Sequence, residues 1–142
     1  MRKELRVKFE FFMDKMPTTR QQKGIKVVKG QVRSYNRGNT ANYELQKNLL
    51  MNKPKVPFDK GLALTLKVYF IYGTKDKSKW GKRKITRPDG DNLMKGFQDY
   101  MQHYRYFMDD AQIAPLIVDR FWGQNNKIIV ELFKTDETLI IF

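Results

Sequence analysis

The sequence predicts an α+β fold: a single domain over residues 1–142, with a small mixed β-sheet and two main helices in the order β-α-β-α-β-β. Three observations carry this. Apolar and polar residues alternate at 5–11 and along 62–72, the two-residue period of a strand. Leu93, Phe97, Tyr100, Met101 and Tyr104 recur at helical spacing. No internal repeat, low-complexity tract or linker divides the 142 residues, and a 41% hydrophobic content with 10 Phe and 7 Tyr is enough for one core.

Taken in order, Leu5, Val7, Phe9 and Phe11 against Arg6, Lys8 and Glu10 make the first strand half-buried. Residues 12–38 hold Pro17, Gly24, Gly30 and Gly38 with no sustained period, so a long basic loop is expected, with room for a short hairpin around Ile25 to Val32. Asn39 or Thr40 caps a helix running to about Asn52, offers Tyr43, Leu45, Leu49 and Leu50 for burial, and is stopped by Pro54. The strand at 62–72 is apolar on both faces and is therefore expected to be central and covered on both sides. A second helix, capped by Asp91, runs to about Tyr104. Two strands, Ile113 to Trp122 and Lys127 to Phe133, are joined by Gly123 to Asn126, and Pro115 restricts the first of them to a strand end or an edge.

Composition narrows the chemistry. There is no cysteine and only one histidine, His103, which removes disulfides, Cys-ligated zinc and Ser-His-Asp catalysis and leaves only oxygen ligands for any metal. The N-terminus is charged at alternate positions, unlike a signal peptide, and no stretch approaches a membrane span, so a cytoplasmic location is expected. The net charge of +13 points to a polyanionic partner, and its distribution points to nucleic acid. Residues 75–87 carry seven bases against Asp76 alone, with Trp80 among them, and residues 15–37 carry seven bases and no acid. Lys79, Lys82, Arg83, Lys84 and Arg87, together with Arg20 and Lys23, are the candidate DNA contacts.

Acids concentrate elsewhere. Asp89, Asp91, Asp99, Asp109, Asp110 and Asp119 fall within 89–119 beside only Lys95 and Arg105. Asp91 and Lys95, four residues apart, share one side of the second helix, and Gly90 gives the backbone freedom to turn the Asp89 carboxylate toward Asp91. If the chain folds back along that helix, Asp109 and Asp110 join them. Clustered carboxylates repel unless a cation neutralises them, and hard oxygen donors suit Mg²⁺, with Mn²⁺ as a substitute. An EF-hand is excluded, because counting from Asp89 the sixth position is Met94 and the twelfth Tyr100. Two readings stay open from the residues alone: a metal-dependent nuclease, with Lys95 stabilising charge on the phosphate, and a basic nucleic-acid-binding protein whose aspartates only cap and pair.

The run Thr86-Arg87-Pro88-Asp89-Gly90-Asp91-Asn92-Leu93-Met94-Lys95, followed by Met108-Asp109-Asp110-Ala111-Gln112-Ile113, resembles the D-x-D-N-L-x-K and D-D-[AS]-Q signature of the RusA-type Holliday junction resolvases, common in phages and prophages. The resemblance implies a RusA-like fold and a homodimeric, Mg²⁺-dependent endodeoxyribonuclease of DNA recombination and repair that nicks four-way junctions in symmetric pairs. Transferred residue by residue, the essential metal-binding carboxylates fall on Asp89, Asp91 and Asp110 and the catalytic lysine on Lys95, with Asp109 in support. Nucleases acting on other branched DNA are the near alternative. Tyr104, Tyr106 and Phe107 are candidates for the pairing surface.

Overall fold

The computed structural model describes residues 6–17, 23–28, 31–36, 40–136 and 140–141, with the backbone alone given for 23–28, 31–36 and Thr40. The chain runs β1 (Arg6–Phe12), β2 (Lys23–Val28), β3 (Gln31–Asn36), α1 (Thr40–Met51), β4 (Leu64–Gly73), α2 (Gly90–His103), β5 (Ile113–Gly123) and β6 (Lys127–Lys134). Short 3₁₀ turns at Lys77–Lys79 and Asp110–Gln112 precede α2 and β5. This is the expected α+β order, with the expected hairpin present as the antiparallel pair β2 and β3.

The main sheet has the order β1-β6-β4-β5. β4 and β5 are parallel, joined through α2, and β6 pairs antiparallel with both β4 and β1. The strands joined by 123–126 are therefore not neighbours, because β4 lies between them. The turn wraps the end of β4 closely: Thr74 N donates to Gly123 O at 2.9 Å and Gly73 N to Asn126 Oδ1 at 2.8 Å. A Cβ on Gly123 would meet Ile71 Cγ2 at 2.5 Å, so only glycine fits there. Pro115 sits in β5, an edge strand, as its missing N–H requires.

One face of the sheet is core. Leu64, Leu66, Val68 and Phe70 of β4 and Ile128, Val130 and Leu132 of β6 are fully buried and join Leu45 and Leu49 of α1 and Leu93, Met94, Phe97 and Met101 of α2. The other face of β4 is only half-covered: Lys67, Tyr69 and Ile71 are intermediate in exposure, against the expectation of burial on both sides. A strand can be apolar on a face that its own long side chains cover. In α1 the buried stripe is Ala41, Leu45 and Leu49, at four-residue spacing, while Tyr43 and Leu50 point to solvent.

After α2 the chain turns sharply. Arg105 adopts φ 67°, the left-handed conformation that ends helices, and Tyr106 N donates back to Met101 O at 3.0 Å. Tyr106 and Phe107 are thereby driven into the core, and the Tyr106 hydroxyl donates to Leu49 O at the end of α1. They are not a pairing surface. Their burial follows from the backbone reversal at Arg105, which no periodicity announces.

Candidate active site

α2 begins at Gly90, and Asp89, not Asp91, is its N-cap. Asp89 makes no side-chain capping bond, so capping does not explain its carboxylate. Among the described residues its carboxylate accepts one long hydrogen bond, from Asn92 Nδ2 to Oδ2 at 3.4 Å, and Asn92 Oδ1 in turn accepts from Lys95 Nζ at 3.1 Å. Asn92 thus links the catalytic lysine candidate to Asp89, a role that its place in the motif offered and that side-chain charge alone did not suggest. Asp91 is exposed in the first turn, where the helix dipole favours a carboxylate. Among the described residues its carboxylate and that of Asp110 have no hydrogen-bond or ion-pair partner. Gly90 serves proximity, since a Cβ there would lie 3.1 Å from Val118 Cγ1; the start of α2 rests on the middle of β5.

Asp109 is structural. Its Oδ1 accepts from Ala111 N at 2.9 Å, and Gln112 Oε1 accepts from Asp109 N at 3.1 Å, a reciprocal capping box on the 3₁₀ turn. Gln112 Nε2 also donates to Asp59 O and Leu62 O, fixing this turn beside the start of β4. Asp110 N donates to Gln102 Oε1 at 2.9 Å. Gln102 lies in the last turn of α2, so Asp110 belongs to the far end of that helix. From Gly90 to Gln102 the helix rises about 18 Å, and from Ile113 to Val118 the strand advances about 16 Å. The expected fold-back along the helix does not occur: β5 runs parallel to β4 and starts where α2 ends. Among the described residues no three carboxylates or imidazoles lie together as a metal site. One chain brings together Asp89, Asp91, Asn92 and Lys95, and leaves Asp110 at the opposite end of α2.

The basic loop is ordered against β5. Gly81 N donates to Trp122 O, Trp122 N to Lys82 O and Lys84 N to Arg120 O, at 2.9 to 3.0 Å, so residues 81–84 lie along the second half of β5, with an antiparallel bridge between Arg83 and Phe121. Neighbouring bases there are separated. Arg83 lies on the outer face, with Nε 3.0 Å from Asp119 Oδ2. Lys84 points inward and is 6% exposed. Its Nζ donates to Thr86 O, Thr86 Oγ1 and Arg87 O and lies 4.6 Å from the Tyr72 ring centroid and 5.3 Å from that of Trp122. Lys84 is therefore no phosphate contact, a correction to its grouping with Lys82 and Arg83. Burial, and secondarily Arg120, holds its pKa below the ordinary lysine value.

Lys79, Lys82 and Arg87 are exposed on this loop, and Trp80 anchors it through Nε1 to Thr74 O at 2.9 Å. Arg20 lies outside the described residues, and Lys23 is described by its backbone alone at the start of β2. Arg120, unremarked in the sequence, donates from Nη1 to Thr86 O and Pro88 O. Tyr72 also lies in this cluster. Its hydroxyl is buried without a hydrogen-bond partner among the described residues, and burial pushes its pKa up to about 12, against a lowering from Arg120.

Two exposed carboxylates at a helix start beside a tethered lysine and an exposed basic loop make an arrangement suited to a phosphodiester. The endodeoxyribonuclease RusA family matches residues 14–133, and the chain belongs to this family of hydrolases, the Holliday junction resolvases, which are generally metal-dependent nucleases. It is 48% identical over 128 residues, 90% of this chain and 98% of the other, to a protein of Lactococcus phage r1t named crossover junction endodeoxyribonuclease rusA. A 57-residue stretch, 39% of either chain, is 37% identical to the uncharacterized protein YqaN of Bacillus subtilis strain 168. No helix among the described residues is long and apolar enough to cross a membrane.

Proposed function

We propose that the protein is a Mg²⁺-dependent endonuclease, acting in the cytoplasm of a bacterial host, that resolves four-way DNA junctions by symmetric paired nicks as a homodimer. The observation that carries this reading is the pair of exposed carboxylates, Asp89, held only by a long bond from Asn92 among the described residues, and Asp91, at the start of α2 beside Lys95. Hard, exposed oxygen donors of this kind suit Mg²⁺ or Mn²⁺. When bound, the cation supplies neutralisation of the scissile phosphate and a water of lowered pKa. Asp89 and Asp91 would hold it, and Lys95, oriented by Asn92, would offset charge developing on the phosphate or the leaving oxygen. Lys79, Lys82 and Arg87 track the DNA backbone on the approach to the site.

The position of Asp110 supports dimerisation for a reason specific to this geometry. Asp110 is free and carries the same donor chemistry, yet lies the length of α2 away. A two-fold axis crossing β5 near its first half sets the start of one copy's strand against the Val118 level of the other, where the partner's α2 begins. That half of β5 is an outer edge with Leu116 40% and Ile117 38% exposed, and Met108, two residues before Asp110, 39% exposed. Asp110 of one copy then completes the carboxylate set of its neighbour, and the two sites address two strands of a two-fold junction. The test is a mobile synthetic four-way junction incubated with protein and Mg²⁺, with flaps and forks alongside. Symmetric nicked duplexes that vanish with chelator are expected; binding without nicking, or equal cutting of every branched substrate, overturns the reading.

A further inference from the structure

The short segment that delivers Asp89 to the start of α2 is held by two cations. Arg120 Nη1 donates to Thr86 O and, at 2.8 Å, to Pro88 O. Lys84 Nζ donates to Thr86 O at 3.1 Å, Thr86 Oγ1 at 2.6 Å and Arg87 O at 2.6 Å. The carbonyls of the three residues before Asp89 are thus all fixed by positive side chains, one from β5 and one from the loop bridged to it. The ion pairs among the described residues are Arg6 with Glu131, Lys67 with Glu131, Arg83 with Asp119 and Lys127 with Glu10, so neither Lys84 nor Arg120 has a carboxylate pair there.

Burying an ammonium that no carboxylate neutralises costs stability, and an apolar side chain would fill the space over Tyr72 and Trp122 at lower cost. Anchoring the loop alone does not call for two charges. The two side chains do converge on the carbonyls of the three residues that lead directly into Asp89. We propose that Lys84 and Arg120 are positioning residues that fix carbonyls 86 to 88, and through them the direction of the Asp89 carboxylate, for binding the divalent cation. This rests on the reading of Asp89 as a metal ligand.

Outer residues that orient metal ligands are worth roughly 10- to 100-fold in metal affinity. The experiment follows the Asp89 amide by NMR while Mg²⁺ is titrated into the full-length protein, for wild type, Lys84→Met, Arg120→Lys, Thr86→Val and Asp89→Asn, with thermal melting as the folding control and junction affinity measured in chelator. Folded Lys84→Met and Arg120→Lys should raise the Mg²⁺ midpoint about 10-fold or more while junction affinity stays within about twofold. Thr86→Val removes one of the three acceptors of Lys84 at an exposed position and should raise the midpoint about threefold. Unchanged midpoints in the folded clamp variants, while Asp89→Asn abolishes the response, overturn the positioning role and leave the nuclease reading intact. If the two cation variants do not fold, an unchanged midpoint in Thr86→Val overturns it. A wild-type response in Asp89→Asn removes the metal reading and the positioning role with it.

Discussion

Replacing Lys79, Lys82 and Arg87 together with alanine should flatten the salt dependence of junction binding by an amount the structure fixes. All three are exposed on the loop that leads into Asp89 and form no close ion pair among the described residues, although Lys79 and Lys82 feel the Asp76 carboxylate at longer range. Each phosphate neutralised on duplex DNA contributes about 0.9 to the slope of log affinity against log salt, so the three contacts of each copy contribute about 5.4 in the homodimer. Between about 50 and 200 mM salt the wild type should then lose about 3.3 decades of affinity more than the variant. Fluorescence anisotropy with a labelled four-way junction, in chelator to prevent cleavage, measures both slopes. Lys84→Met is the internal control: the same charge is removed, but from a buried site, and the slope should hold. Arg83→Ala should act weakly, because Asp119 already offsets its charge. A triple variant with the wild-type slope refutes the assignment of this loop to DNA, and a Lys84→Met slope lowered by about 1.8, one contact per copy, refutes the burial argument.

Three further outcomes follow from particular residues. Asp91→Asn should abolish cleavage in a gel assay while junction binding survives or tightens, since removing a negative charge cannot weaken attraction to phosphate; lost binding would contradict this. Arg105→Gly should stabilise the protein by about 1 kcal/mol in urea unfolding, because Arg105 holds φ 67° where glycine carries no Cβ penalty. Tyr72→Phe should stabilise by about 1 kcal/mol at neutral pH, since the hydroxyl is buried unpartnered. The gain should narrow nowhere and widen above pH 10. The folded phenol keeps its proton up to about pH 12 while the unfolded chain releases it from 10.0, so the wild-type contribution is full below pH 10 and is lost as pH rises through that window. Denaturant melts of both proteins at stepped alkaline pH measure this divergence.

Local pattern carried most of the elements. Val7, Phe9 and Phe11 in β1 and Leu93, Phe97 and Met101 in α2 bury themselves at the periods that announce them. The chemistry was legible for a similar reason: Asp89, Asp91 and Lys95 lie within two turns of one helix, where spacing fixes geometry. What escaped was set by long-range pairing. Nothing in Ile113 to Lys134 says that β4 inserts between β5 and β6, and with that insertion β5 runs parallel and Asp110 stays at the far end of α2. The burial of Lys84 depends on residues 81–84 pairing with β5, and Gly81-Lys82-Arg83-Lys84 has no apolar alternation to announce that pairing. Arg120 looked like one more base because its partners are backbone carbonyls, which leave no trace in side-chain sequence.

The central claim, that each cutting site draws Asp89 and Asp91 from one copy and Asp110 from the other, is tested most directly by mixing two inactive proteins. Asp91→Asn and Asp110→Asn homodimers are each expected to be dead on the junction. Unfolded together and refolded, they form mixed dimers in which one site is doubly altered and the other wild type, and single-strand nicking should reappear with Mg²⁺. A mixture that stays as inactive as its parents, with mixed dimers demonstrated by mass, would contradict the shared site.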